Sequence, residues 1–279
     1  MTDNITTNAK STWCPGCFNF QILTGVKNVI FNEINSGKKR GEFAIVSGIG
    51  CHAKIFDYLN LNGINTLHGR VLPMCLGMKV GNPNLKVIGF SGDGDAYAEG
   101  MEHLIHIARY NLDMKYVIHD NQVFALTTGQ STPTTELGFK DKTNPLGGRL
   151  MPLNPVKLML SLNVGFVARI FADVKQVEEV LKEALKYKGF AFIEIIQPCL
   201  IFHQDTGFKE RMYSLLDVKH DKTNINEALK KAEEFDYNNP KSKIPTGIFY
   251  QKEREIFEDK FEQLKKLKEK KIGWRDIKR

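Results

Sequence analysis

Five short, almost wholly apolar runs constrain this chain more than anything else in it: Phe43 to Ser47, Leu85 to Phe90, Lys115 to His119, Gly165 to Phe171 and Ala191 to Ile196. Apolar runs without polar alternation are the pattern of strands buried on both faces, which is how parallel sheets are built. Between them lie helical patterns at Phe18 to Asn35, Glu99 to Tyr110, Pro155 to Ser161 and Val174 to Tyr187, the last with apolar residues at 174, 177, 180, 181 and 185. The alternation predicts an α/β fold, a mostly parallel sheet with helices on both faces. With 279 residues, 42% of them hydrophobic, the chain can bury one large core.

The long segment Val123 to Asn154, rich in Thr, Gly, Pro and Asn, reads as a loop, and loops of that length in a compact domain are functional or disordered. After about Asp221 the composition shifts toward Lys, Glu and Asn and ends in a charged helical pattern from Glu253 to Lys271. The expectation is a domain over residues 1–220 and a charged C-terminal extension, a helical tail over 221–279 that packs on a neighbour.

Charge narrows the function classes. Lys plus Arg outnumber Asp plus Glu by 39 to 32, and Lys252 to Arg279 alone holds 11 basic and 7 acidic residues. The chain carries no helix-turn-helix, zinc-finger or aromatic RNA-binding motif, so nucleic acid is not the expected partner. No run approaches the roughly 18 apolar residues of a membrane span, and Met1 to Lys10 lacks an apolar signal core. A cytoplasmic protein is expected, in which five cysteines point to metal or redox chemistry rather than disulfides.

Three groups of residues can carry chemistry. The first is Cys14 and Cys17 in Trp-Cys-Pro-Gly-Cys, with Cys51 and Cys199 directly after two of the inferred strands, where a sheet would bring them together. Four thiolates suffice for an iron–sulfur cluster, whereas an isolated C-x-x-C is equally a redox pair, half a zinc site or two structural thiols. Cys75 reads as a buried apolar residue. The second group is Gly92-Asp93-Gly94-Asp95 at a strand end, followed by Asn121 after the next strand. Asp93 and the Asn121 side-chain oxygen are hard ligands suited to Mg²⁺ bridging to phosphate, and the glycines let backbone approach it. Taken alone, a Gly-Asp-Gly tripeptide is as readily only a tight turn. The third group, His52 and Lys54 beside Cys51 and then His68 and Arg70 in Leu-His-Gly-Arg, supplies cations and imidazoles for a carboxylate-bearing substrate.

From Trp13 to about Phe208 the motifs W-C-P-G-C, G-I-G-C-H-A-K, L-H-G-R, G-D-G-D-A-Y-A-E-G, D-N-Q-V-F-A-L-T-T-G-Q-S-T-P-T and Q-P-C occur in one order. In this the chain resembles the β subunit of 2-oxoacid:ferredoxin oxidoreductases, which bind thiamine diphosphate and split the coenzyme-binding site with a partner subunit. The resemblance implies a thiamine diphosphate-binding fold and one [4Fe-4S] cluster on Cys14, Cys17, Cys51 and Cys199. It implies Mg²⁺ on Asp93, Asn121 and the Val123 carbonyl, with His52, Gly92, Gly94 and Asp95 lining the coenzyme. Lys54 then faces the substrate carboxylate, and His68 with Arg70 approaches the reacting end. Leu126 to Pro133, including Leu126 and Thr127, resembles a plug over the site that rearranges for coenzyme A, with Ala125 and Thr128 where family members often have Gly and Lys.

The implied activity is oxidative decarboxylation of a 2-oxoacid, pyruvate or 2-oxoglutarate among them, with coenzyme A to acyl-CoA and CO₂. Electrons leave through the cluster to ferredoxin, whose acidic surface suits a +7 chain. An α subunit, or a fused α/γ subunit, holds the other half of the coenzyme site, so this chain alone is expected to be inactive. Two rivals stand at this point. One is a non-redox thiamine diphosphate decarboxylase or synthase subunit with structural zinc or no metal at the cysteines; the other is an assembly module in which Gly-Asp-Gly is only a turn.

Overall fold

The computed structural model describes residues 5–204 and 207–277; the first residues of the polar N-terminal stretch and the last two of the expected extension lie outside it. Eight strands form the main sheet: β1 (Phe43–Ser47), β2 (Asn62–Asn65), β3 (Lys86–Gly92), β4 (Met114–Asp120), β7 (Phe166–Phe171), β8 (Ala191–Ile196), β9 (Met212–Ser214) and β10 (Ile244–Gln251). Two-residue strands β5 (Val123–Phe124) and β6 (Gln130–Ser131) pair as a small antiparallel hairpin. The main order is β2-β1-β3-β4-β8-β7-β10-β9, parallel except where β10 runs antiparallel to β7.

Alternate side chains of each central strand enter different cores, which is why the apolar runs are continuous. Phe43 and Ile45 of β1 join the core under α1 (Asn19–Asn35), α2 (Ile55–Tyr58) and α6 (Val174–Lys186). Ala44 and Val46 join the core under α3 (Val71–Gly81), α4 (Met101–Tyr110), α5 (Pro155–Ser161) and α8 (Ile225–Glu233). The expected α/β architecture with helices on both faces is the observed one. Two short helices complete the elements used here, α7 (Phe208–Arg211) and α9 (Glu262–Lys270).

Four local readings change. The helix expected from Glu99 begins at Met101, because Gly94–Glu99 forms a π-helical turn directly after the Gly-Asp-Gly motif. Such turns leave the regular hydrogen-bond ladder and occur often at functional sites. Helix α3 is disguised by Pro73 and Gly77, yet Pro73 sits in the first turn, where its missing N–H costs no hydrogen bond. The loop Val123 to Asn154 holds the β5–β6 hairpin and a 3₁₀ turn at Ala125–Thr127.

The expected extension is the fourth change, for much of it is built into the sheet and the core. β10 lies inside the sheet between β7 and β9, Ala228 and Ala232 of α8 are buried in the core, and the buried Glu258 pairs with Lys79 at 3.3 Å. Pro245 and Gly247 disguise β10 as a loop. Its register with β7 starts only at Gly247, so the proline nitrogen is never asked to donate to that ladder.

At the centre of the sheet Arg169 and Glu194 face each other across β7 and β8, both fully buried and 2.6 Å apart. The guanidinium also stacks over Phe235 at 4.9 Å, and the second carboxylate oxygen meets the Tyr97 and Tyr237 hydroxyls at 3.4 and 3.3 Å. Tyr97 belongs to the π-helical turn, so this pair fixes the segment that follows Asp93. Arg169→Met should leave the carboxylate uncompensated and cost about 3–5 kcal/mol. A lowered urea midpoint that is largely restored when Glu194→Leu is added would bear this out; an unchanged midpoint in the single variant would refute it.

Candidate active site

The site gathers at the carboxyl ends of four adjacent parallel strands, β1, β3, β4 and β8, where open α/β sheets bind ligands. From the loop after β1 come Cys51 and His52; from the end of β3 and the turn beyond it, Gly92, Asp93, Gly94 and Asp95. After β4 come Asn121 and Val123, and the following 3₁₀ turn adds Leu126 and Thr127. His68 enters from the loop after β2. All eleven line one cleft. Gly94 is required by close packing, since a Cβ there would overlap the Phe124 ring.

Electrostatics divides the cleft into two ends. At one end Asp95 forms an ion pair with His68 at 2.9 Å and accepts a hydrogen bond from the Gly69 N–H at 2.8 Å. Burial works against the Asp95 carboxylate, but His68, His52 and the Gly69 amide together hold it below the usual range. The same contact raises His68. His52 lies 3.7 Å from Asp95 and is pushed down to about 4 by burial, against the pull of that carboxylate. Of the two imidazoles, His68 is the one whose charged form Asp95 favours, with His52 a neutral imidazole.

At the other end two carboxylates are buried side by side. Burial raises Asp93 to about 6, opposed by hydrogen bonds from Thr132, backbone and Thr134. Asp120, the residue before Asn121 to which the sequence assigned no role, is raised well above the usual range by burial and by the Asp93 charge. The Thr134 hydroxyl sits between them, 2.9 Å from Asp120 Oδ1 and 3.3 Å from Asp93 Oδ2. Asp120 Oδ2 has no hydrogen-bond partner, and among the described residues no Lys or Arg pairs with either group. An unneutralised buried pair with an orphan oxygen fits a divalent cation, which would supply the missing positive charge. The Asn121 side-chain oxygen accepts from the Val123 N–H at 3.1 Å, folding the turn that carries both expected oxygen ligands.

A second cavity adjoins the first and is lined by all four expected cluster cysteines, Cys14, Cys17, Cys51 and Cys199, together with Lys54. Cys14 and Cys17 come together through a β-turn: the Cys17 N–H donates to the Cys14 carbonyl at 3.1 Å, Pro15 takes the first central position and Gly16 the second with φ of 77°. Burial pushes the Cys51 thiol up to about 11, opposed by the Lys54 ammonium and reinforced by the other three sulfurs. Burial also raises Cys17. Among the described residues no three Cys, His, Asp or Glu side chains converge on a single ion. Cys75 is fully buried in the core, as expected.

Cys51, Asn121, Ala125 and Gln197 line both cavities, so the two share a wall. Lys54 faces the cysteines rather than the first cleft, its ammonium donating to the Thr12 carbonyl at 3.0 Å. Arg70 lines neither cavity; it is exposed, and its guanidinium donates to the Glu99 carbonyl at 3.2 Å. Two more residues of the site carry no sequence signature. His119 and Asn19, both buried, bond at 2.8 Å between Nδ1 and Oδ1, and the Asn19 amide lies 3.4 Å from Cys17 Sγ. Only their positions, just before Asn121 and just after Cys17, hint at them.

Comparison with known proteins fits this geometry. Residues 48–195 match the family described as thiamine pyrophosphate enzyme, C-terminal TPP binding domain, and residues 206–266 match the C-terminal family of the pyruvate ferredoxin oxidoreductase beta subunit. The chain is 38% identical over 256 residues to the 2-oxoacid:ferredoxin oxidoreductase subunit beta of Saccharolobus solfataricus, covering 86% of this chain and 82% of the relative. The chain belongs to the β subunits of 2-oxoacid:ferredoxin oxidoreductases. These β subunits include the 2-oxoglutarate synthase subunit KorB of Archaeoglobus fulgidus, 35% identical over 74% of this chain and 79% of that one. Among solved structures, the 2-oxoglutarate:ferredoxin oxidoreductase of Magnetococcus marinus, with 2-oxoglutarate, coenzyme A and succinyl-CoA bound, superposes with a TM-score of 0.85. It is 32% identical, over 98% of this chain and 91% of that one. The β subunit described here is accordingly one part of a multi-subunit oxidoreductase with a thiamine diphosphate-binding domain. No helix among its described residues is long and apolar enough to cross a membrane.

Proposed function

We propose that this β subunit holds thiamine diphosphate with Mg²⁺ in the first cleft and one [4Fe-4S] cluster on Cys14, Cys17, Cys51 and Cys199 in the second. With an α or fused α/γ subunit it then converts a 2-oxoacid and coenzyme A to acyl-CoA and CO₂, and the two electrons released pass through the cluster to ferredoxin. The observation that carries this reading is the shared wall of Cys51, Asn121, Ala125 and Gln197, which puts a four-thiol cavity next to a cation-and-phosphate cleft. A non-redox decarboxylase needs no such neighbour.

When bound, the coenzyme supplies the nucleophile and the electron sink that decarboxylation requires. The protein's share is placement and charge. Asp93, Asn121 and the Val123 carbonyl present oxygen ligands to Mg²⁺, with Asp120 behind them adding negative charge to the same spot. Gly92 and Gly94 line the same cleft, where a diphosphate would lie against them. His68–Asp95 and neutral His52 form the opposite end, able to orient a polar ring and to hold or pass a proton. Lys54 would balance the negative charge that thiolates bring to the second cavity, and would meet a substrate carboxylate only from that side. Leu126 and Thr127 on the β5–β6 hairpin cover the cleft, where coenzyme A would have to displace them. Arg70 is exposed outside both cavities, and an α subunit would have to reach it there.

The test is anaerobic co-purification with the partner subunit, iron and sulfide analysis, and 2-oxoacid-dependent reduction of a viologen dye with and without coenzyme A. Pyruvate and 2-oxoglutarate are the oxoacids to begin with. About four irons per β chain and coenzyme A-dependent turnover are expected; zinc, or no metal, with no turnover on any oxoacid would overturn the reading.

The raised Asp93 carboxyl gives a pH signature. In the cation-free chain a proton stays on Asp93 up to about pH 6, above the ordinary value of 3.8. Because the folded state binds more protons than the unfolded one in that window, cation-free stability should fall as pH rises from about 4 to 6. Mg²⁺ must displace that proton, so Mg²⁺-dependent coenzyme binding should weaken as pH drops through about 6. Titration calorimetry at pH 5.5 and 7.5 measures this directly; equal Mg²⁺ affinity at the two would contradict it.

A further inference from the structure

Between the two cavities runs one continuous line of polar contacts. His119 lies at the end of β4 and lines the first cleft; its Nε2 is buried, makes no regular hydrogen bond and has the Gln197 side chain as its polar neighbour. Its Nδ1 is 2.8 Å from the side-chain oxygen of Asn19, the first residue of α1. The Asn19 amide nitrogen in turn points at Cys17 Sγ, 3.4 Å away. Asn19 and His119 are each 1% exposed, so these contacts are shielded from water. His119 also packs edge-on against the Phe90 ring, but the Asn19 amide is a buried polar group whose place there requires another reason.

We propose that Asn19 is a positioning residue that couples the coenzyme cleft to the cluster cavity: its amide N–H bonds to the Cys17 sulfur and raises the reduction potential of the cluster, while His119 fixes the amide's orientation. The proposal rests on the cluster assignment made above.

The chemistry admits one arrangement of donors. A thiolate bound to iron can only accept, so the amide nitrogen must face Cys17 and the amide oxygen must face His119. An amide oxygen only accepts as well, which places the imidazole proton on Nδ1 and leaves the Nε2 lone pair facing the cleft. The cluster thus sets, through Asn19, which face the histidine shows to the coenzyme. A donor aimed at a ligand sulfur favours the more negative, reduced cluster, and hydrogen bonds to sulfur are among the terms that set such potentials. The Phe202 N–H makes a second contact of this kind, 3.5 Å from Cys199 Sγ, so the cavity already directs backbone dipoles at its sulfurs.

The experiment uses the anaerobically purified complex with its partner subunit. Asn19→Asp keeps the size of the side chain and an oxygen toward His119 but puts an oxygen, not an N–H, at the sulfur. Asn19→Leu removes both bonds without adding charge. EPR-monitored redox titration should show the reduced cluster stabilised about tenfold less in each, a fall of about 59 mV for a one-electron couple. Iron and sulfide content should equal the wild type. In the wild type, pulsed EPR of the reduced cluster should show an exchangeable proton or side-chain nitrogen coupling that both variants lose, a readout that a merely structural role would not move. A full complement of iron with an unchanged potential overturns the role of Asn19 and leaves the cluster standing. Wild-type protein without iron overturns the cluster reading, and this proposal with it. Should the variants fold poorly, the wild-type coupling decides alone: its absence from an intact cluster refutes the bond.

Discussion

Asp93→Ala should lower 2-oxoacid-dependent dye reduction by the complex on the order of a thousandfold, the scale of losing a charge-stabilising group in a closed site. The reason is visible in the cleft. Asp93 and Asp120 are two buried carboxylates that share the Thr134 hydroxyl and have no basic partner among the described residues, so the proposed cation would neutralise them and also supply positive charge to a diphosphate. Without Asp93 the proposed cation loses its only carboxylate among the proposed ligands. Asp93→Asn, which preserves shape and removes charge, should fall nearly as far, and that separates electrostatics from packing. Calorimetric titration of thiamine diphosphate with Mg²⁺ is the direct check; affinity within a few fold of wild type in either variant would sink the cation assignment.

A comparable loss is expected at the other cavity. Cys51→Ala should take iron from about four per chain to near none and dye reduction to background, because a cubane missing one thiolate is exposed at that corner. Cys51 is the most informative of the four, since it lies on the wall that the two cavities share. Cys75→Ala is the control. That thiol is buried among the apolar residues packed between the sheet and α3 and α4, so its replacement should cost about 1 kcal/mol of stability and no iron. Iron retained in Cys51→Ala, or lost in Cys75→Ala, would mean that the ligand set is different.

The parts of the site that can be read in the sequence are those whose chemistry is local. Cys-Pro-Gly-Cys encodes its own turn, with proline and glycine at the two central positions. Gly-Asp-Gly-Asp follows a run that can only be a buried strand, so its place at a strand's carboxyl end is fixed before any fold is known. Lys54 and Arg70 show the opposite case. Both stand in recognisable motifs, yet Lys54 turns toward the cysteines and Arg70 turns outward to the Glu99 carbonyl. Residue type and spacing do not specify which way a long side chain leaves a loop.

What the sequence by itself determined is the layered α/β plan, the strand ends that carry the ligands, and the four cysteines that belong together. These follow from apolar runs and turn chemistry, which act over a few residues. Only the tertiary structure decided the rest, because it depends on strand register and on contacts between distant segments. Arg169 meets Glu194 because β7 and β8 pair in one register, and a slip of one residue would turn both away from each other. β10 is a sheet strand despite Pro245 because β7 leaves an edge for Gly247 onward to pair with. Asn19 bridges Cys17 and His119 across 100 positions of sequence, and Asp120 becomes a second carboxylate beside Asp93 only because β3 and β4 are neighbours. No local propensity encodes such pairings; they arise when the sheet closes and water is excluded from between them.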